Sequence, residues 1–178
     1  MPLTQMELFQ ATLAHEPQEE FLYYAGFTPD LYQRFLAHML PIPESEVAEH
    51  LGMFTRVNCT PTPKKELSPS VLANRFGQYF TDVERPQGSF INEFGVLNIP
   101  GSMYHFTSYL SPLRYATTLA EIEAFQYYPG YDGYDESHLA HRVQQAHAVG
   151  KVAMCSIGHI YEVSWQIRGY EEFLQDMI

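Results

Sequence analysis

The stretch "AVGKVAMCSIGHIYEVSW" constrains the fold more than any other. Val152, Ala153, Met154 and Cys155 are consecutive apolar residues, and a short unbroken run of this kind reads as a strand covered on both faces, as in a parallel sheet. Helices bracket it. Upstream, "SHLAHRVQQAHAVG" puts Leu139, Val143 and Ala146 on one face, with Ser137 or Asp135 as N-cap and Gly150 at the stop position. Downstream, a second helix begins after Gly158. Helix, strand and helix in immediate succession predict α/β layering. Within the strand, Cys155 is expected to pack as a buried and therefore inert thiol.

The N-terminal third repeats the alternation. Leu3, Met6, Phe9 and Leu13 recur at helical spacing, Thr4 and Glu7 form a capping box, and Pro17 ends the helix. The aromatic run Phe21–Tyr24 predicts a strand broken by Gly26. A helix then opens with Thr28 as N-cap and Pro29 at its first position, with Leu31, Phe35 and Met39 as its apolar stripe. "ESEVAEHLGM" predicts a helix closed by Gly52, and "MFTRVNC" a strand. "TPTPKKELSP" reads as loop. "FINEFGVLNI" and "MYHFTSYLSPL" are β-rich and fit a hairpin through "PGS". "TTLAEIEAF" predicts a helix capped by Thr117 or Thr118, and "YYPGYDGYD" a turn-rich aromatic loop. A length of 178 residues favours one domain.

Charge narrows the partners. The formal net charge is −11, and Arg34 is the only Lys or Arg in the first 55 residues. Such a surface repels phosphate backbones and anionic lipid, so neither nucleic acid nor membrane is an expected partner. Two cysteines offer no disulfide framework. The N-terminus lacks the basic start and apolar run of a signal peptide, and no apolar run approaches a membrane span. The expectation is a soluble cytoplasmic protein. The 13 Tyr and 12 Phe suit a polar-rimmed pocket, with amphipathic packing as the plainer reading.

The segment "GHIYEVSWQIRGYEEFLQDM" resembles the uroporphyrinogen decarboxylase superfamily, through Gly158, Ile160, Tyr161, Glu162, Val163, Trp165 and the Arg168-Gly169 pair. "FINEFGVL" resembles that family's segment of an acidic residue, an aromatic and Gly-Val. "YLSPLRYATTLAEIEAFQYYPGYD" resembles its His-Pro-Leu stretch, with Ser111 in place of the His. "ATLAHEPQEEFLYYAGFTPDL" resembles its opening. The resemblance implies a (β/α)8 TIM-type barrel of which residues 1–178 form the N-terminal half, a single incomplete domain. The sequence stops inside the predicted helix "EEFLQDMI" without Gly, Asn or Pro, so the expectation is a fragment, a truncated reading frame or a natural half-barrel.

Two chemistries come with the resemblance: decarboxylation of porphyrinogen acetate arms and corrinoid-linked methyl transfer at zinc. The decarboxylases clamp carboxylates with arginines after the first strand. Here no Arg follows Phe21–Tyr24 until Arg34, and the chain is acidic throughout. The methyltransferase branch fits Tyr161-Glu162-Val163, Trp165 and Arg168-Gly169 better. Its zinc ligands lie in a C-terminal half, so no residue here inherits a metal role; zinc and a corrinoid partner are implied only for a full-length relative. Cys155 with His159 and His138 with His141 are poor metal pairs, the latter two reading as solvated surface. The leading expectation is therefore an incomplete methyltransferase-like barrel contributing to a small-molecule pocket. The alternatives are a decarboxylase, on uroporphyrinogen or a smaller carboxylate, and a non-catalytic half-barrel that binds a small molecule. A second copy or a complementing C-terminal half is the expected macromolecular partner.

The barrel expectation also selects pocket candidates, because active residues gather at the C-terminal ends of strands. His159 stands at one such tip, where it either handles a proton or caps the next helix. Glu162 lies one turn further on, where a helix N-terminus also favours a carboxylate. Tyr161, Tyr24 at the end of the first strand, and Glu93 complete the candidates. Trp165 is expected in the core.

Overall fold

A computed structural model describes residues 3–38, 42–43, 46–101, 107–156 and 158–178. In chain order the helices are α1 (Gln5–Leu13), α2 (Pro29–His38), α3 (Val47–His50), α4 (Pro69–Phe76), α5 (Leu119–Ala124), α6 (Leu139–Ala148), α7 (Ile160–Arg168) and α8 (Tyr170–Asp176). The strands are β1 (Arg56–Asn58), β2 (Thr62–Pro63), β3 (Phe90–Ile91), β4 (Leu97–Pro100), β5 (Thr107–Leu110), β6 (Tyr134–Asp135) and β7 (Val152–Met154). The class is mixed α/β. The chain divides into two compact units, Met1–Thr60 with Ser137–Ser156, and Pro61–Glu136 with Ile157–Ile178.

In the first unit, α1 opens on the expected capping box: Thr4 Oγ1 accepts from the Glu7 N–H, and Glu7 Oε2 accepts from the Thr4 N–H at 2.7 Å. β1 and β7 pair in parallel, with Arg56 opposite Val152. The Gln5 carboxamide ties α1 to the segment before β1, donating to the Met53 carbonyl and accepting from the Thr55 N–H. Phe9 stacks flat on Phe54 at 5.7 Å. Leu8, Val47, Met53, Cys59, Ala146 and Val152 are the buried apolar residues of this unit.

Two sequence expectations fail here. Phe21–Tyr24 is not a strand: the segment is irregular, Phe21 is 85% exposed, and among the described residues no strand pairs with it, although the Tyr23 carbonyl accepts from the Phe54 N–H at 2.8 Å. Cys155 is exposed rather than packed, while Cys59 is the buried thiol. The cause is that burial falls away along β7 toward its C-terminal end. Val152 is buried, Ala153 half-buried and Met154 exposed, and the strand has ended before Cys155. Helix α2 starts at Pro29 as expected, yet buries no side chain; Phe35 stacks on Phe27 at 5.7 Å instead. Met39, the last residue of its expected stripe, lies outside the described residues.

The second unit is built on the antiparallel meander β3–β4–β5, whose β4–β5 pair is the expected hairpin. Helix α4 and a 3-10 turn over Gly77–Phe80 deliver Leu72, Phe76 and Phe80 to the core. They meet Ile91, Val96, Leu97, Leu113, Phe125 and Ile167 there. The turn between β3 and β4 is held by Asn92 Oδ1, which accepts from the Phe94 and Val96 N–H groups. Gly95 completes it at φ +76°, where a Cβ would meet the Phe76 ring at 2.8 Å.

Among the described residues these strands do not make the expected half-barrel. The sheets have two, two and three strands, and only β1–β7 is parallel. A barrel of this type needs a helical crossover between successive parallel strands. The Asn92 N–H donates to the Val96 carbonyl at 3.0 Å, and the three residues between them leave room only for a tight turn, which forces antiparallel pairing.

Candidate functional site

Helix α7 carries most of the candidates. One face packs inward: Gln166 and Ile167 are buried, and Val163 lies against the core. The helix is preceded by Gly158 at φ +74° and His159. His159 occupies the N-cap position, and its carbonyl accepts from the Val163 N–H at 2.8 Å. Its side chain makes no capping bond and is exposed, so the capping role is not realised.

The end of α7 is set by the Arg168-Gly169 pair. Gly169 turns the chain at φ +103°, and the Glu172 carboxylate fills the space a Cβ would take. Helix α8 starts at once. Arg168 Nη1 donates to the Leu113 carbonyl at 2.8 Å, and its Nε and Nη2 fork onto the two carboxylate oxygens of Asp176 at 2.7 and 3.4 Å. A second backbone bond, Leu113 N–H to the Ile167 carbonyl at 3.0 Å, joins the same two segments. The arginine that the family resemblance singles out is therefore engaged as a clamp.

The sharp turn into α8 gathers aromatic rings on the outward side of α7. Trp165 meets Tyr109 of β5 at 5.9 Å and Tyr170 of α8 at 5.6 Å, both edge to face. Tyr161, one turn before Trp165, packs edge-on against Phe173 at 5.4 Å. Loss of water around the Tyr161 phenol, and then its hydrogen bond to Tyr170, raise its pKa above the ordinary tyrosine value. Beside this cluster, half-buried Glu162 accepts from Gln166 Nε2 at 3.2 Å. Trp165 is half-buried in the cluster rather than sealed in the core.

His159, Tyr161 and Glu162 thus share the first turn region of one helix. Glu93 stands elsewhere, on the β3–β4 turn, where it adds to burial in raising the Tyr134 phenol pKa. Tyr24 belongs to the other unit, at no strand end, with the Arg56 guanidinium 4.3 Å from its ring centre. Tyr109, Tyr170 and Phe173 are not among the candidates that the sequence suggests. The available signal was the four-residue spacing of Tyr161 and Trp165 followed by a glycine break, which returns the next aromatics to the same face.

Among the described residues, no group of three His, Cys, Asp or Glu side chains is placed to hold a metal ion. His141 is exposed and His138 half-buried, its Nε2 shielded and unpartnered. No helix among the described residues is long and apolar enough to cross a membrane. A groove of about 180 Å³ lies between α4 and the residues after α5, lined by Arg75, Phe76, Gln78, Tyr79, Ala124 and Gln126; none of the candidates reaches it. Comparison with protein-family models, with curated proteins and with solved structures gives no match.

Proposed function

We propose that the chain is the N-terminal part of a uroporphyrinogen decarboxylase-superfamily protein of the corrinoid methyltransferase-like kind, supplying pocket residues without completing catalysis alone. One observation carries this reading. Three of the four stretches that resemble the family, 90–97, 109–132 and 158–177, are far apart in sequence yet build one core. Val96, Phe125 and Ile167 share it, and Leu113 is bonded to Ile167 and Arg168 through its N–H and carbonyl.

In this reading, Tyr161 and Glu162 wall and orient a small-molecule substrate, and exposed His159 holds or moves a proton at its imidazole. The parallel β1–β7 pair is the piece of strand ladder that a fuller barrel would extend. Zinc, where a complete relative uses it, activates a thiol. The described residues offer no ligand set for it, so that chemistry is assigned to no residue of this chain. A decarboxylase needs free guanidinium groups for its carboxylates, whereas Arg114 and Arg168 are committed to Asp82 and Asp176.

The coding sequence beyond Ile178 tests the proposal. An in-frame His-x-Cys followed by a later Cys is the expected result, and a frame continuing without them counts against methyl transfer. Methyl transfer to a corrinoid by residues 1–178 alone would overturn the claim of incompleteness.

A further inference from the structure

We propose that the aromatic cluster on α7, α8 and β5 is a binding site for a small alkylammonium cation, walled by Trp165, Tyr170 and Tyr161. Trp165 and Tyr170 meet at 85°, Tyr109 and Trp165 at 73°. Rings at right angles turn their electron-rich faces in different directions, which makes walls rather than a stack. The cluster is not sealed: Tyr109, Tyr161 and Tyr170 are 41%, 53% and 52% exposed.

Charge selects the occupant. Glu162, Glu171 and Glu172 come from the same two helices. The only arginine or lysine on those helices, Arg168, is neutralised by Asp176. Exposed His159, at the start of α7, is the one further group able to become positive there. The field therefore favours a cation and rejects carboxylates and phosphates. A compact ammonium holds its water tightly, whereas an alkylated one gives it up readily and gains from the ring faces. The proposal names a ligand class for the site on which the functional reading rests, but binding itself does not require methyl transfer.

Trp165 is the sole tryptophan, so its emission reports on this site alone. Titration of the protein with tetramethylammonium chloride should give a saturable change, with sodium chloride at equal ionic strength as the blank. Tyr170→Leu keeps apolar bulk but removes a π face, and should weaken binding by roughly five- to thirty-fold, the loss of one cation–π contact. Should Tyr170→Leu misfold by circular dichroism, Tyr109→Leu on β5 serves instead. No saturable change, or an equal response to neutral tert-butanol, overturns the cation site. Either result leaves the superfamily reading to the coding-sequence test.

Discussion

Arg168 reaches two elements from the last turn of α7, and its side chain is 12% exposed. Removing it leaves the Leu113 carbonyl without its charge-assisted partner, so Arg168→Ala should cost about 1.5–3 kcal/mol in denaturant unfolding. Lysine cannot reproduce the fork, and Arg168→Lys should recover only part. The contact is also pH-dependent. The Arg168 hydrogen bond holds the Asp176 carboxyl below its ordinary pKa against the opposing loss of water, with a smaller contribution from the Arg168 charge. A carboxyl lowered in this way stabilises the fold fully above the ordinary carboxylate range, and the gain is lost as pH falls through the lowered value. The stability gap between the native chain and Asp176→Asn should therefore close in acid. A gap that persists there would mean that the pair contributes through shape rather than charge. Gly95 is the second sensitive residue. Gly95→Ala places a Cβ against a Phe76 ring that is 1% exposed, at φ +76°. The expected loss is on the order of 1–3 kcal/mol in the same measurement.

Elements whose signals are local are legible in the amino-acid sequence. Helix α5 is capped by Thr118, which accepts from the Glu121 N–H while Glu121 reaches back to the Thr118 N–H. Thr118→Ala should cost about 1 kcal/mol, read as a lower thermal midpoint. The same logic holds for Thr4 with Glu7, for Pro29 and for Gly150, because a cap depends on residues three or four apart. The β4–β5 hairpin is legible for a similar reason. The Phe21–Tyr24 strand fails because a strand exists only with a neighbour, and the residues of the segment say nothing about one. Cys155 fails likewise, since an apolar run cannot report where along the strand its cover ends. Helix α4 is a different case. Leu72, Phe76 and Phe80 recur every four residues and form much of the core. That spacing is present in the sequence but sits amid Pro, Ser and Asn residues that resemble loop. Of the site, the α7 candidates are readable from the Gly-His break and the family-like segment. The aromatic cluster is readable only in part, from the four-residue spacing of Tyr161 and Trp165, because the place of Tyr170 and Phe173 depends on the angle that Gly169 gives to α8.

At the scale of the whole chain, burial is unevenly spread, and this sets an order of local opening. In the second unit, β4 begins with Leu97 at 1% exposure, and α4 contributes Leu72 and Phe76 to the same core. Opening either exposes closely packed rings and aliphatic groups to water, at a cost that grows with the apolar area released. In the first unit, α2 buries no side chain. It carries stacked rings at its surface and an exposed ion pair between Asp30 and Arg34 at 4.0 Å. Such a pair contributes little in water. Hydrogen exchange should therefore be slowest at the amides of β4 and α4 and fastest through α2, with α1 between them because Leu8 is buried and its N-terminus is boxed. Phe76→Ala tests the cause. Removing a ring that stacks on Phe125 at 5.8 Å leaves a cavity, with an expected loss of about 3–5 kcal/mol. Protection at β4 should fall with it, since Leu97 shares that core. If β4 kept its slow exchange in Phe76→Ala, its protection would have to come from the meander's hydrogen bonds alone, and the core would not be the source of the hierarchy.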